Sequence, residues 1–161
     1  MIHLLFGYGR GKTSSAFGLA LRMAGHGKRV LVVQFIKDGT SGEVAAIRRQ
    51  PGVDVLHPEP YLDLEANRTL WQEVASRLRD PDGYAMIVLD EVLDAMTGGA
   101  MTADELAKAV RAFASTGAEL VLTGHEDPPL ELADLADYIT RFEPVRHPYD
   151  RGIVAREGVE Y

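Results

Sequence analysis

The sequence predicts a single α/β domain over residues 1–161, a mostly parallel sheet flanked by helices with a C-terminal hairpin-like segment. Three observations lead there. Largely apolar runs recur, as in Arg29–Ile36 and Tyr84–Leu89, and strands apolar on both faces belong in a sheet covered on both sides. These runs alternate with helical patterns almost throughout. The first run ends in Phe6-Gly7-Tyr8-Gly9-Arg10-Gly11-Lys12-Thr13-Ser14-Ser15, which opens into the helical pattern Ala16–Leu21.

In chain order, Ile2 and Leu4–Phe6 make the first strand, and the first helix stops at Gly25-His26-Gly27, as glycine ends helices. Arg29–Ile36 is the second strand, Lys37–Gly42 a loop and Glu43–Gln50 a short helix. Val53–His57 is the third strand. Two prolines make His57–Pro60 a loop, and Leu62–Arg79 is a helix with Leu70, Trp71, Val74 and Leu78 on one face. Tyr84–Glu91 is the fourth strand, ending in two carboxylates. Thr102-Ala-Asp-Glu105 is a capping box that opens a helix to about Ser115. Ala118–Leu122 is the fifth strand, with Thr123–Pro129 as its terminal loop and Leu130–Ala136 as a short helix. An extended segment, Tyr138–Val145, is expected to pair with Ile153–Tyr161 as a hairpin across Pro148–Gly152.

Composition narrows the function classes. The hydrophobic share of 46% and charged share of 25% are those of an ordinary globular chain. No apolar run approaches the roughly 18 residues of a membrane span, so no membrane partner is expected. Met1 leads straight into a strand, so no signal peptide is expected either. The absence of cysteine excludes disulfides and thiolate metal sites and suits a cytoplasmic enzyme. A net charge of −7 argues against a nucleic acid bound along a broad surface, while a small anion held by a local loop remains compatible.

The glycine loop is such a place. Glycines allow positive φ and bring N–H groups against phosphate oxygens. The helix N-terminus adds partial positive charge, Lys12 a full one, and the Thr13 hydroxyl a ligand for Mg²⁺. The match to Gly-x-x-x-x-Gly-Lys-[Ser/Thr] is one residue out of step, because its first glycine would fall on Phe6 and the loop opens with Gly7. The plainer alternative is a glycine-rich turn with an exposed lysine. Asp90-Glu91 closes the fourth strand where open α/β sheets bind ligands, so a carboxylate there can hold Mg²⁺ directly or through water. Its plainer alternative is a pair of acids capping the next helix.

Other chemistries find no support. His3, His26, His57, His125 and His147 show no ligand spacing, although His125, after Thr123-Gly124 at a strand's carboxyl end, is placed to face a nucleotide. No Gly-x-Ser-x-Gly elbow occurs. The only asparagine, Asn67, precedes an arginine, so the guanine-reading Asn-Lys-x-Asp is missing.

Gly7–Thr13 running into Ser14-Ser15-Ala16-Phe17-Gly18, with Arg22 and Gly25-His26-Gly27-Lys28, resembles the ATP:corrinoid adenosyltransferases. So do Val33-Gln34-Phe35-Ile36-Lys37, Val88-Leu89-Asp90-Glu91, Leu122-Thr123-Gly124 and the ending Pro144–Gly152 with Gly158–Tyr161. The family's glycine loop has the same short spacing. The resemblance implies a RecA-type P-loop NTPase fold, ATP and a corrinoid as co-substrates, Mg²⁺, and a homodimer. It implies transfer of the 5′-deoxyadenosyl group of ATP to cobalt(I), with triphosphate leaving. By position, the nucleotide set is Gly7, Tyr8, Gly9, Arg10, Gly11, Lys12, Thr13, Ser14, Arg22 and His125; Thr13 and Glu91, with Asp90 beside them, fall to the metal, and Lys12, Thr13 and Glu91 to catalysis. The family's usual loop asparagine is Tyr8 here, its usual arginine after Thr-Gly is His125, and its Gly-Phe-x-Trp segment is replaced by His57-Pro-Glu-Pro-Tyr61-Leu62-Asp-Leu64. Another P-loop ATPase or phosphotransferase, or a nucleotide-binding paralogue without chemistry, remains the alternative.

Overall fold

Six parallel strands form one sheet in the computed structural model, which describes residues 1–146, 148–156 and 158–159. The elements run β1 (Ile2–Phe6), α1 (Lys12–Gly25), β2 (Val30–Gln34), α2 (Gly42–Ile47), β3 (Val53–Leu56), α3 (Leu64–Arg79), β4 (Met86–Asp90), α4 (Val92–Thr97), α5 (Ala103–Phe113), β5 (Glu119–Gly124), α6 (Leu130–Ala133) and β6 (Tyr138–Arg141). A 3₁₀ turn follows at Pro148–Arg151. The spatial order is β3-β2-β4-β5-β1-β6, and every pairing is parallel.

The strands β2 and β4 are buried along their whole length because helices cover both faces. On one face α1 and α2 set Ala16, Phe17, Ala20, Val44 and Ile47 against Leu5, Val32 and Val88. On the other, α3, α4 and α5 bury Trp71, Val74, Leu78, Leu93, Leu106 and Phe113 against Leu4, Leu31, Ile87 and Leu120. The predicted stripe on α3 is therefore core. The predicted capping box at Thr102 and Glu105 is present in both directions.

Three expectations need correction. The C-terminal hairpin does not form among the described residues: β6 pairs in parallel with β1, and Ile153–Arg156 carry no strand, while His147, Glu157, Glu160 and Tyr161 lie outside the described residues. Beyond its pairing with β5, β1 offers one free edge, and Tyr138–Arg141 fills it in parallel as the outermost strand of the sheet. Second, β5 runs on to Gly124, so Thr123 and Gly124 belong to the sheet and not to a loop. Third, β4 ends at Asp90 and not at Glu91, which leaves the strand as the N-cap residue of α4. Among the described residues no helix is long and apolar enough to cross a membrane.

Candidate active site

The loop between β1 and α1 is built against the chain that returns after β6. The Gly9 amide donates to the Phe142 carbonyl at 2.7 Å. A Cβ on Gly9 would stand 2.6 Å from both the Glu143 nitrogen and the Phe142 carbonyl carbon, so only glycine fits there. Helix α1 starts at Lys12 with no acidic residue in its first turn, which leaves its positive end uncompensated. Lys12 is buried and its Nζ donates to the Gly9 carbonyl at 3.2 Å. Burial lowers its pKa, against the opposing pull of Glu91 and Asp94. Among the described residues, the hydrogen-bond partner of this ammonium is a neutral carbonyl.

Beside the loop, Asp90 is fully buried and saturated with donors. Its Oδ1 accepts from Thr13 Oγ1 at 3.0 Å and Thr123 Oγ1 at 2.8 Å; its Oδ2 accepts from Gln34 Nε2 at 3.0 Å and Lys37 Nζ at 2.8 Å. Gln34 is the residue opposite Asp90 in the β2–β4 register, which explains that contact. Lys37 Nζ also donates to Thr13 Oγ1 at 3.2 Å and pairs with Glu91 Oε1 at 3.2 Å. Burial opposes the charge on Lys37, but Asp90 and Glu91 outweigh it and raise its pKa. Burial, in turn, pushes the Glu91 carboxyl up, while Lys37 pulls it down.

Glu91 itself sits at φ 60, in the left-handed region that non-glycine residues seldom adopt, and its N–H donates to Thr123 Oγ1 at 2.8 Å. That bend turns its carboxylate off the strand and over the loop. Gly124 meets α4 so closely that a Cβ would lie 2.4 Å from Leu93 Cβ, and this approach brings His125 to Asp94. The His125 N–H donates to Asp94 Oδ2 at 3.0 Å, while its Nδ1 lies 3.0 Å from Asp94 Oδ1 and 3.5 Å from Glu91 Oε2. Ligand atoms of Glu91, Asp94 and His125 all lie within 4.8 Å of one another. The two departures from the family pattern are neighbours. Tyr8 and His125 have ring centroids 5.6 Å apart, and the Tyr8 hydroxyl donates to Glu126, a bond that holds its phenol above the ordinary pKa.

A cavity of about 680 Å³ joins these parts. Tyr8, Gly9, Arg10, Gly11, Lys12, Thr13 and Ser14 line one side, with Lys37, Glu43, Glu91 and His125 around them. Arg10 Nη2 donates to the Val159 carbonyl at 2.7 Å, so the C-terminal segment closes one wall. Gly7 lies behind the loop, its amide on the carbonyls of Gly124 and His125. Arg22 is not brought to this group. It stands in the last turn of α1, ten residues and roughly 15 Å of helix from Lys12, exposed beside Met1, His3 and Tyr138 at the other end of the sheet. A second groove of about 680 Å³ between α3 and α5 holds neither the loop nor the acids, so volume alone does not select the site.

Four contributors escaped the sequence reading as site residues: Gln34, Lys37, Asp94 and Thr123. Lys37 had a usable signal, since it follows an apolar strand at the same end as Asp90-Glu91. Asp94 had a weaker one, lying three residues beyond Glu91 and so on the same side of a helical turn. The donor set suits a hard divalent cation, being a hydroxyl and two carboxylates. Thr13, Asp90 and Glu91 already converge on one positive charge, the Lys37 ammonium.

The fold and the glycine loop between β1 and α1 are those of an α/β domain of the P-loop NTPase-like class. The family model described as ATP:corrinoid adenosyltransferase BtuR/CobO/CobP matches residues 1–161, and the chain belongs to that family. It is 35% identical to a corrinoid adenosyltransferase of Pseudomonas aeruginosa over 96% of this chain and 80% of that protein. Corrinoid adenosyltransferase CobA of Salmonella typhimurium is 31% identical, and a corrinoid adenosyltransferase of Escherichia coli 32% identical. Each alignment covers all of this chain and 85% of the relative.

Proposed function

We propose that this protein transfers the 5′-deoxyadenosyl group of ATP to cobalt(I) of a corrinoid in cobalamin metabolism. The electron pair of cobalt(I) attacks C5′, the Co–C bond forms, the C5′–O bond breaks, and triphosphate leaves with that bond's electrons. One observation carries this reading beside the family membership. The carboxylates nearest the loop are committed to cations: Asp90 and Glu91 both pair with Lys37. A site so arranged cradles a polyanionic leaving group, and neither of these two carboxylates is left free to activate water or a hydroxyl. Cobalt(I) is already a strong nucleophile, so alignment and charge stabilisation suffice.

In this reading Lys12 and the loop amides hold the triphosphate. Thr13, Asp90 and Glu91 would hold Mg²⁺, which would supply further charge neutralisation on the leaving group. His125, Tyr8, Arg10 and Ser14 line the remaining wall. The corrinoid belongs on the segment that replaces the aromatic lid, where Tyr61, Leu62 and Leu64 are exposed apolar residues, Leu62 the most at 70%. Buried Asn67 ties that segment to the site. Its Nδ2 donates to the carbonyls of Tyr61 and Asp63, and its Oδ1 accepts from Ile36 N–H, one residue before Lys37. A cytoplasmic homodimer completes the proposal, and sedimentation tests its oligomeric part.

The deciding experiment mixes the protein with Mg-ATP and chemically reduced cobalamin. A photolabile Co–C product is expected in step with intact triphosphate by ³¹P NMR. ADP and phosphate accumulating without a Co–C bond would identify an ATPase instead, and ATP binding without turnover a binding protein.

A further inference from the structure

Lys37 is anchored on the same three residues that the reading above gives to the metal. Its Nζ lies 2.8 Å from Asp90 Oδ2, 3.2 Å from Glu91 Oε1 and 3.2 Å from Thr13 Oγ1. An ammonium in the middle of three oxygens takes the directions that a compact dication needs. Two cations sharing those oxygens would also repel each other at a few ångströms, in surroundings where the field is poorly screened. The arrangement has one place for one cation.

The backbone on both sides enforces that placement. Ile36, immediately before Lys37, sits at φ 47, a conformation that a β-branched residue adopts only when its surroundings compel it. Its N–H is held at 3.0 Å by Oδ1 of buried Asn67. Glu91, arriving from the opposite strand, is also left-handed at φ 60. Lys12 does not share this role, because its Nζ reaches the Gly9 carbonyl and not the acids. The two lysines are thus divided: one under the phosphate loop, the other on the oxygen cage.

We propose that the Lys37 ammonium and the divalent cation are alternative occupants of one oxygen cage, Lys37 holding the ion out until a triphosphate supplies further oxygen ligands and a new anionic partner for the displaced ammonium. The inference rests on the reading that Thr13, Asp90 and Glu91 hold the ion. It makes Lys37 the residue that couples metal to nucleotide. In wild type each ligand strengthens the other, because neither alone completes the exchange, and linkage requires the effect to be reciprocal.

The test uses Mn²⁺ as probe, its free concentration read by electron paramagnetic resonance, with no activity measured. Without nucleotide, Lys37→Met should bind Mn²⁺ at least tenfold more tightly than wild type, and adding Glu91→Gln to that variant should abolish the gain. The strengthening of Mn²⁺ binding by ATP should shrink by a similar factor in Lys37→Met. Should the methionine variant fail to fold, Lys37→Gln keeps a donor towards Asp90 without the charge and carries the same measurement. Nucleotide-free Mn²⁺ affinity equal to or weaker than that of wild type would overturn the exchange. In that event the metal reading still stands if Glu91→Gln alone weakens Mn²⁺ binding to the ATP complex. If Glu91→Gln leaves that binding unchanged, the metal reading falls and the exchange with it.

Discussion

Gly9 and Phe142, 133 positions apart, are joined backbone to backbone, the Gly9 amide donating to the Phe142 carbonyl at 2.7 Å. The phosphate loop is therefore braced by the last strand's exit as well as by its own helix. Gly9→Ala would set a methyl group 2.6 Å from the Glu143 nitrogen. The backbones must then part, at a cost of roughly 1–3 kcal/mol as in an overpacked core. Urea unfolding should show that loss and calorimetry a weakened ATP affinity. A variant with wild-type values for both would remove the brace from the account.

Lys12 is buried at the start of α1, where its Nζ donates to the Gly9 carbonyl at 3.2 Å. Lys12→Ala should remove about 1.5–3 kcal/mol of nucleotide binding, the worth of a charge-assisted contact. Calorimetry with Mg-ATP measures it. Unchanged affinity would reduce the loop to a turn.

In the proposed function Glu91 serves the metal and not the core. Glu91→Gln should weaken metal dependence and turnover more than resistance to unfolding. Its raised pKa, caused first by burial, means that charging Glu91 costs the fold stability as pH rises through that value, so the neutral amide removes a burden. Thermal melts at neutral pH should show little loss. A variant that unfolds easily yet keeps normal residual activity would make Glu91 a structural acid.

Tyr61 is exposed on the segment proposed to meet the corrinoid. Tyr61→Ala should slow adenosylation that starts from cobalt(II), where a lower ligand must leave, and matter much less with pre-formed cobalt(I). Parallel stopped-time assays compare the two. Equal losses in both would place its role elsewhere.

The capping box gives a prediction remote from the site. Thr102→Ala should cost about 1 kcal/mol, the usual worth of an N-cap, visible as a shift of roughly 2–4 °C in Tm. Its partner Glu105 accepts from the Thr102 N–H at 2.7 Å and from its hydroxyl at 2.9 Å, and these bonds hold its pKa below the ordinary value. A depressed carboxyl stabilises above its unfolded pKa and loses that contribution as pH falls through the folded one. Glu105→Ala should therefore fall short of wild type at neutral pH and converge with it as pH falls through the lowered pKa of that carboxyl. A gap that persists in acid would mean the carboxylate is not what stabilises this end.

Much of this molecule was legible in one dimension, for local reasons. Apolar runs between glycines mark β2 and β4, because a strand covered on both faces has no polar side to show. Gly7–Thr13 marks the loop, because few other sequences permit a backbone to wrap an anion before a helix. Thr102 and Glu105 mark a helix start, because both bonds of the box lie within four residues. Each of these signals is closed over short distances, so no distant partner is needed to read it.

Tertiary structure alone decided the rest. Tyr138–Arg141 reads as one arm of a hairpin, yet the free edge of β1 captures it in parallel. Arg22 shares a helix with Lys12, but a rigid rise of about 1.5 Å per residue carries it to the opposite end of the sheet. Lys37, Gln34, Thr13, Thr123 and Glu91 come from four separate parts of the chain to surround Asp90 or its neighbour. Nothing in their spacing announces this, because the register of β2 beside β4 and the left-handed bends at Ile36 and Glu91 do the assembling. A sequence can state which residues could bind a charge; only the packing of the strands that carry them determines which charges meet.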